Sequence, residues 1–146
     1  MASSNVHELG LSALVYVSRS TLSLAGDASA VDDIVTVANQ RNALLRVTGA
    51  LVYTELHFAQ VLEGPEHSIG ELMDSILHDP RHCDVTVVAE HKATSRRFGS
   101  WAMAYAGPSP YLDRHLKPLI SPRRSDRPRA ELVEALITSI RRLQAG

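Results

Sequence analysis

The pattern of apolar and polar residues in the middle of the chain predicts a β-hairpin over residues 47–64. Both arms are short, apolar and rich in residues that favour strands, and the polar break at Thr54–His57 is too brief for anything but a hairpin loop. Because side chains alternate between the faces of a strand, one face of the second arm carries Phe58, Gln60 and Leu62. Its other face carries Ala59, Val61 and Glu63. Gln60 is therefore an amide between two large apolar side chains.

The amide of Gln60 needs hydrogen-bond partners, because an unsatisfied buried amide costs about 1–3 kcal/mol. Neighbouring backbone groups could satisfy it. Alternatively, another polar group lies above that face of the hairpin.

Two more polar residues lie at positions expected to be buried. A strand over Ser12–Ser18 is apolar on both faces, which is typical of a central strand, and Tyr16 lies within it. A helix follows, in which Ser29 and Asp32 resemble a capping box and the apolar stripe is Val31, Ile34, Val35 and Ala38. Asn42 continues that stripe near the helix end. Tyr16 could be an ordinary core tyrosine bonded to a carbonyl, and Asn42 could cap the helix.

The rest of the first hundred residues predicts a second helix and two more strands. Gly64-Pro65 marks the helix start, Asp79 its end, and the apolar stripe between them is Ile69, Leu72, Met73, Ile76 and Leu77. Strands are predicted over Val85–Ala89 and Trp101–Tyr105, the latter with Trp101 and Met103 on one face.

The order strand, helix, strand, strand, helix, strand predicts an α+β, ferredoxin-like βαββαβ fold with a fifth short strand. Helix crossovers normally join parallel neighbours, whereas the hairpin is antiparallel, so we expect a mixed sheet with both helices on one face. The proline-rich tail divides into a short helix at Tyr111–Leu116, a basic linker at Ser121–Pro128 and an amphipathic helix over Ala130–Leu143. The tail should cover the other face of the sheet through Val133, Leu136, Ile137 and Ile140. We therefore expect one domain over residues 1–106 and a helical extension over residues 107–146.

Composition narrows the range of partners. The chain has 146 residues, 45% of them hydrophobic, and a formal net charge of −1, which provides no general attraction to nucleic acid or to a membrane. It shows neither a basic leader nor a run of about 18 apolar residues, so we expect a cytoplasmic protein. The one cysteine, Cys83, cannot form an internal disulfide and is expected to be at least half-buried.

The three polar residues are predicted to meet in a pocket between the two helices and the sheet. Ile34, Ala38, Ile69 and Leu72 would form its apolar walls. Two amides and a phenol that converge there suit a flat heteroaromatic ligand with carbonyl and ring-nitrogen acceptors. Spacing alone does not name that ligand.

Seven sequence blocks, in one collinear order from Leu11 to Tyr105, strongly resemble the BLUF domains, which are blue-light sensors that use FAD. The blocks are Tyr-Val-Ser-Arg-Ser at 16–20, Asn-Ala at 42–43, Val-Thr-Gly-Ala-Leu at 47–51, Phe-Ala-Gln-Val-Leu-Glu-Gly-Pro at 58–65, Asp-Pro-Arg-His at 79–82, Arg-Arg-Phe at 96–98 and Trp-Ala-Met at 101–103. The resemblance implies a short BLUF photoreceptor that is not an enzyme and binds FAD non-covalently.

The resemblance also implies a role for each matched residue. Tyr16 would donate an electron and a proton to the photoexcited flavin, and the amide of Gln60 would bridge Tyr16 to the flavin N5 and O4 region. Asn42 would bind the O4/N3 edge, and Arg81 and His82 would lie near O2. Light would rearrange the hydrogen bonds of Gln60, through a rotated amide or an imidic tautomer, without forming a covalent product.

The output would pass through Trp101 and Met103, whose repositioning would shift the last strand and the tail helices. It would end in contact with an unidentified partner protein or in a change of assembly, such as a homodimer or a larger homo-oligomer. Two departures from the family pattern are that the hairpin connection at Thr54–His57 lacks glycine and that position 41 is Arg. No cofactor role is assigned to Arg41.

Two other readings of the sequence compete with a photosensor. One is a non-photoactive module on the same fold that binds a ligand or dimerises, and the colour of the purified protein discriminates between these two. The other is an acylphosphatase-like hydrolase, which needs an anion cradle with an arginine after the first strand. Arg19 is available there, but the connection Thr21–Gly26 has only one glycine.

Overall fold

The computed structural model describes residues 10–23, 26–120 and 135–142. Within these residues the strands and helices run in the order β1 (Leu11–Ser20), α1 (Ala28–Leu44), β2 (Thr48–Tyr53), β3 (His57–Pro65), α2 (Glu66–Leu77), β4 (His82–Lys92), β5 (Trp101–Ala106) and α3 (Pro110–Ile120). Residues 135–142 are also helical. The predicted α+β class and the ferredoxin-like order with a fifth strand are confirmed.

The five strands described form one mixed sheet in the order β4-β1-β3-β2-β5. β1 pairs antiparallel with β3 and β4, and β2 pairs antiparallel with β3, whereas β2 and β5 are parallel. A mixed sheet was expected, but the parallel neighbours are β2 and β5 and not, as predicted, the strands that the helical crossovers connect. β3 lies between the two strands that α1 connects, and β1 lies between the two that α2 connects, so neither crossover joins neighbours.

Two apolar layers enclose the sheet. The helix face, which we define as the side covered by α1 and α2, contains Leu14, Tyr16, Leu51, Phe58, Leu62 and Trp101. The tail face, covered by α3 and residues 135–142, contains Val15, Val17, Ala50, Val52, Ala59 and Val61. Leu136, Ile137 and Ile140 pack in the tail-face cluster, as predicted, and Val133 lies outside the described residues.

The hairpin loop between β2 and β3 closes without glycine. The backbone N–H of Thr54 donates to the carbonyl of His57 at 2.9 Å, and the N–H of His57 donates to Oγ1 of Thr54 at 3.0 Å. Asp113 of α3 joins the same network: its Oδ1 lies 2.5 Å from Thr54 Oγ1 and 2.7 Å from His57 Nδ1. The loop is therefore attached to the tail face by a nearly buried carboxylate.

Three local predictions need correction. Ser29 and Asp32 form no capping box, because α1 already begins at Ala28, and the carboxylate of Asp27 accepts the backbone N–H of Ser23 instead. α3 extends well beyond the predicted Leu116, to Ile120, with Pro118 in its last turn. Cys83 is exposed, because it lies near the start of β4, an edge strand with one side of its backbone unpaired.

The remaining parts of the tail prediction fall partly outside the structure. The linker Ser121–Pro128 and residues 130–134 and 143 of the predicted last helix lie outside the described residues. None of the helices described has the length and apolar character needed to cross a membrane.

Candidate functional site

A cleft opens between α1, α2 and the helix face of the sheet. It encloses about 680 Å³, counting the open solvent at its mouth. Both apolar and polar side chains line it: Tyr16, Ile34, Val37, Ala38, Arg41, Asn42, Leu51, Phe58, Gln60, Leu62, Leu72, Ser75, Ile76, Asp79, Arg81, His82 and Trp101.

Three buried side chains at the cleft form a continuous hydrogen-bonded chain. Tyr16 and Gln60 are direct cross-strand partners on β1 and β3, and Gln60 Nε2 donates to the Tyr16 hydroxyl at 2.6 Å. The indole Nε1 of Trp101 on β5 donates to Gln60 Oε1 at 2.8 Å. Neighbouring side chains, rather than backbone, therefore satisfy the amide of Gln60.

The orientation of the Gln60 amide follows from the chemistry of Trp101. An indole N–H can only donate, so the atom that faces Trp101 must be the amide oxygen. The amide nitrogen then faces Tyr16, whose hydroxyl accepts. Because a phenol can also donate, the proton of Tyr16 is left to make a separate hydrogen bond.

The Tyr16 phenol is strongly biased towards its protonated form. Burial raises its pKa far above the usual value of about 10, because the phenolate would be desolvated, and the hydrogen bond from Gln60 only partly opposes this effect. Tyr16 is 3% exposed. It is thus a neutral phenol throughout the physiological pH range.

Two polar atoms beside the cleft lack partners. Among the described residues, the buried side-chain atoms without a hydrogen-bond partner are Arg41 Nε, Asn42 Oδ1 and Tyr53 Oη. The first two belong to cleft-lining residues, and Asn42 is only 2% exposed. Because buried polar atoms are normally paired, Arg41 Nε and Asn42 Oδ1 are candidates for binding a ligand in the cleft. α1 continues past Asn42 to Leu44, which argues against a simple capping role.

Charged and aromatic groups line another part of the cleft. Arg81 donates through Nε and Nη2 to the Asp79 carboxylate at 2.6–3.1 Å, and these bonds lower the pKa of Asp79 and raise that of Arg81. His82 lies between Ser18 Oγ and the carbonyl of Ile76, each 2.7 Å from a ring nitrogen. Since a carbonyl only accepts, Nε2 of His82 carries a proton.

The structure does not bring every predicted residue into the cleft. Ile69 packs in the helix-face cluster but does not line the cleft, because it lies one turn before Leu72 on α2, towards the start of that helix. Met103 is half-buried, packs against the same cluster and does not line the cleft either. Arg19 forms an exposed ion pair with Asp84 instead of contributing to an anion site in the cleft.

Sequence reasoning did not place several of the lining residues in the pocket, notably Val37, Ser75, Ile76 and Asp79. Ser75, Ile76 and Asp79 extend the series begun by Leu72 at spacings of three and four, so helical periodicity could have identified the first two. Asp79 was treated only as the end of the second helix and as part of the sequence block at 79–82. Its position two residues before Arg81 was a usable signal.

Residues 11–104 match the family model of BLUF, described as "Sensors of blue-light using FAD". The chain belongs to the BLUF family. The match includes every residue of the Tyr16–Gln60–Trp101 chain and both walls of the cleft. It confirms the resemblance drawn from the seven sequence blocks.

Two named proteins are similar in sequence to the BLUF region of this chain. The chain is 38% identical over 73 residues to the blue light- and temperature-regulated antirepressor BluF of Escherichia coli, a match that covers 50% of this chain and 18% of that protein. It is 36% identical over 96 residues to the photoactivated adenylate cyclase subunit alpha of Euglena gracilis, covering 66% of this chain and 9% of the other. The match thus spans less than a fifth of each of these relatives.

Solved structures show the same fold over most of the chain. The dark-state structure of the BLUF protein BlrB is 31% identical, with a TM-score of 0.66, and the match covers 90% of this chain and 95% of BlrB. The photo-activated state of BlsA has a TM-score of 0.69 at 21% identity, covering 89% and 94% of the two chains, and supports the fold alone.

The cleft of this BLUF chain fits a flavin. The isoalloxazine ring is flat and carries an imide whose N–H lies between two carbonyls, so it offers a donor for the unpaired Asn42 Oδ1 and acceptors for arginine and phenol groups. Ile34 and Leu72 line the cleft with apolar side chains. The polar groups and apolar walls of the cleft are thus compatible with a flavin ring.

The raised pKa of Tyr16 predicts a loss of stability at alkaline pH. The unfolded chain releases the phenolic proton near pH 10, whereas the folded protein retains it, so folding binds more protons and the free energy of unfolding falls as the pH rises. Above pH 10 this group contributes a slope of about 1.4 kcal/mol per pH unit. Urea unfolding between pH 9 and 11 should therefore show a shallower slope for Tyr16→Phe than for the wild type.

The exposed Tyr111 provides a matched control, since Tyr111→Phe makes the same chemical change on α3 and should follow the wild-type slope. Equal slopes for Tyr16→Phe and Tyr111→Phe would contradict the stated effect of burial on Tyr16.

Proposed function

We propose that this chain is a blue-light photoreceptor that binds FAD non-covalently in the cleft between α1 and α2. The observation that carries the proposal is the buried chain from Tyr16 through Gln60 to Trp101, with Tyr16 and Gln60 lining the cleft. No cysteine lines the cleft, and both ring nitrogens of His82 are engaged by protein groups, so a covalent bond to the flavin is not expected.

The bound FAD would supply absorption of blue light and, once excited, an electron acceptor. Tyr16 is the donor, because it lines the cleft and holds its proton at neutral pH. The hydroxyl accepts from Gln60, so its own proton is free to point elsewhere and to move with the electron. Burial excludes water, which would otherwise compete for that proton.

Gln60 acts as the switch, because an amide presents an acceptor at one end and a donor at the other. Rotation of the amide, or conversion to an imidic tautomer, changes which end donates. A rotated amide would turn its nitrogen towards the indole N–H of Trp101, and two donors would then face each other. The contact with Trp101 would be lost, so the change at Gln60 reaches β5.

The other cleft residues orient the cofactor. Asn42 would bind the edge of the flavin ring, and Ile34 and Leu72 would contact its faces. Arg81 and His82 would lie near O2, with the Asp79 carboxylate and Ser18 holding them in place. Ile69 packs in the helix-face cluster without lining the cleft, and it would support the apolar wall that Leu72 provides.

The signal leaves the cleft through Trp101 and Met103 on β5, and residues 1–106 form the light-sensing domain. The extension over residues 107–146 receives the change on the tail face and presents it to an unidentified partner protein or to another copy of the chain, as a homodimer or a larger homo-oligomer. The chain of 146 residues acts as a sensor and not as an enzyme. A non-photoactive ligand-binding module remains the competing function, which the next experiment tests.

The purified protein should be yellow with bound FAD, and denaturation should release all of it, because the attachment is non-covalent. Blue light should shift the absorption slightly to the red, and the shift should reverse in darkness. Absorption spectroscopy before and after illumination measures both effects. A colourless protein that takes up no FAD on refolding would overturn the proposal, and a yellow protein without a shift would favour the non-photoactive module.

Gln60→Leu should retain FAD but lose the red shift, since it keeps most of the side-chain volume and removes both hydrogen-bonding ends. Tyr16→Phe should also lose the shift, because it removes the proton donor. Gln40→Leu and Tyr111→Phe make the same changes at exposed positions and are the controls. A normal photocycle in either cleft variant would show that the roles assigned to Gln60 and Tyr16 are wrong.

Light should alter the protection of β5 and of residues 135–142 from hydrogen exchange. β5 carries Trp101, and Ala104 and Tyr105 pack against the tail-face cluster that contains Leu136 and Ile140. Hydrogen exchange followed by mass spectrometry in light and darkness measures the effect. If a protein with a red shift showed unchanged protection in both segments, this route would be wrong and the hairpin loop at Thr54–His57 would become the next candidate.

A further inference from the structure

A buried carboxylate on the tail face is not explained by the cleft. Glu63 lies on β3, three residues after Gln60 and on the opposite face, and it is 2% exposed. Ala59 and Val61 lie on the same face of β3 as Glu63, and both belong to the apolar tail-face cluster. A carboxylate in such a layer is costly unless it is hydrogen-bonded, so its partners indicate its purpose.

Glu63 binds the backbone of the loop that leads into β5. Its Oε2 accepts the N–H of Arg97 at 2.8 Å, and its Oε1 accepts the N–H of Phe98 at 3.0 Å. Thr48 Oγ1, directly opposite on β2, also donates to Oε1 at 3.4 Å. Each carboxylate oxygen thus receives one backbone N–H, an arrangement that uses its two acceptor ends and its charge.

The side chains of the same loop strengthen the attachment. Arg96 Nη1 donates to the carbonyl of Glu63 at 3.1 Å and to Thr48 Oγ1 at 3.0 Å. Phe98 is buried in the tail-face cluster at 4% exposure. Three consecutive loop residues are therefore fixed to β2 and β3 immediately before β5 begins.

The attached loop leads directly to Trp101. β5 is an edge strand of six residues that pairs only with β2 among the described strands, and Trp101 is its first residue. Phe98 precedes Trp101 by three residues, and between them the Gly49 N–H donates to the carbonyl of Ser100 at 3.1 Å. A short edge strand has few bonds of its own to fix its start.

We propose that Glu63 is a positioning residue that holds the indole of Trp101 against Gln60. β3 would then carry both residues that position Trp101. Gln60 accepts the indole N–H on the helix face, and Glu63 fixes the loop before Trp101 from the tail face. The inference deepens the proposed function, on which its relevance to the light response rests. The positioning itself does not depend on light.

Glu63→Gln tests the inference with almost no change in shape. The amide has one acceptor end, and its NH₂ group would face a backbone N–H of residue 97 or 98, so the loop loses one bond and gains a repulsive contact. The chain has a single tryptophan, so its indole N–H gives one resonance in ¹⁵N spectra. The measurement is the hydrogen-exchange rate of that N–H in the purified FAD-loaded protein in darkness.

We expect Glu63→Gln to raise the exchange rate of the indole N–H by about fivefold or more, the change that loss of a buried hydrogen bond produces in an opening equilibrium. The backbone N–H groups that pair β1 with β3 should exchange as in the wild type. Glu71→Gln, an exposed change on α2, should leave all these rates unchanged. An unchanged indole rate, or an increase shared equally by the β1–β3 amides, would overturn the inference.

If Glu63→Gln fails to fold, Thr48→Val is the second test. Valine is favoured in strands, and the change removes only the hydrogen bonds that Thr48 Oγ1 makes with Glu63 and Arg96. A smaller increase in the indole rate would support the inference, and an unchanged rate would overturn it. Because the measurement is made in darkness, a missing light-induced shift would count against the photoreceptor function and not against the positioning role of Glu63.

Discussion

The structure depends on one orientational constraint, which is that an indole N–H can donate but cannot accept. Trp101 therefore fixes the oxygen of the Gln60 amide, the amide nitrogen is directed to Tyr16, and the phenol is left with its own proton. Each bond in this chain sets the direction of the next. An amide presents an acceptor at one end and a donor at the other, so reversing the Gln60 amide would reverse the donor and acceptor roles along the chain.

The strand β3 connects the two faces of the sheet around this network. On the helix face it presents Gln60, and on the tail face it presents Glu63 to the loop before β5. At its start, His57 and the neighbouring Thr54 contact Asp113 of α3. Because β3 is central and pairs with β1 and β2 along its length, these polar contacts share a rigid support.

The sequence was sufficient for the order of strands and helices and for the polar centre of the cleft, because both follow from local periodicity. Alternation along β1 and β3 puts Tyr16 and Gln60 on the same face, and helical spacing adds Asn42. Periodicity describes faces but not distances along an element. Ile69 has the correct phase on α2 and yet lies a turn away from the cleft.

Properties set by neighbouring strands were beyond sequence reasoning. Cys83 was expected to be at least half-buried, but the order of the sheet places β4 at an edge and exposes it. The donor for the oxygen of Gln60 could not be named either, since Trp101 reaches it only because β5 pairs with β2 in one register. The resemblance to BLUF domains supplied roles for residues, whereas the contacts among them required coordinates.

The link between the hairpin loop and α3 has a thermodynamic consequence. Asp113 ties the helix on the tail face to the beginning of the strand that carries Gln60, so the two regions share a connection through β3. Coupling between sites is reciprocal. If light changes the affinity of the tail for a partner, as proposed, binding of that partner must change the balance between the dark and illuminated states by the same free energy. A protein bound at α3 would thus act as a second input, because it would shift the free-energy difference between the dark and illuminated states.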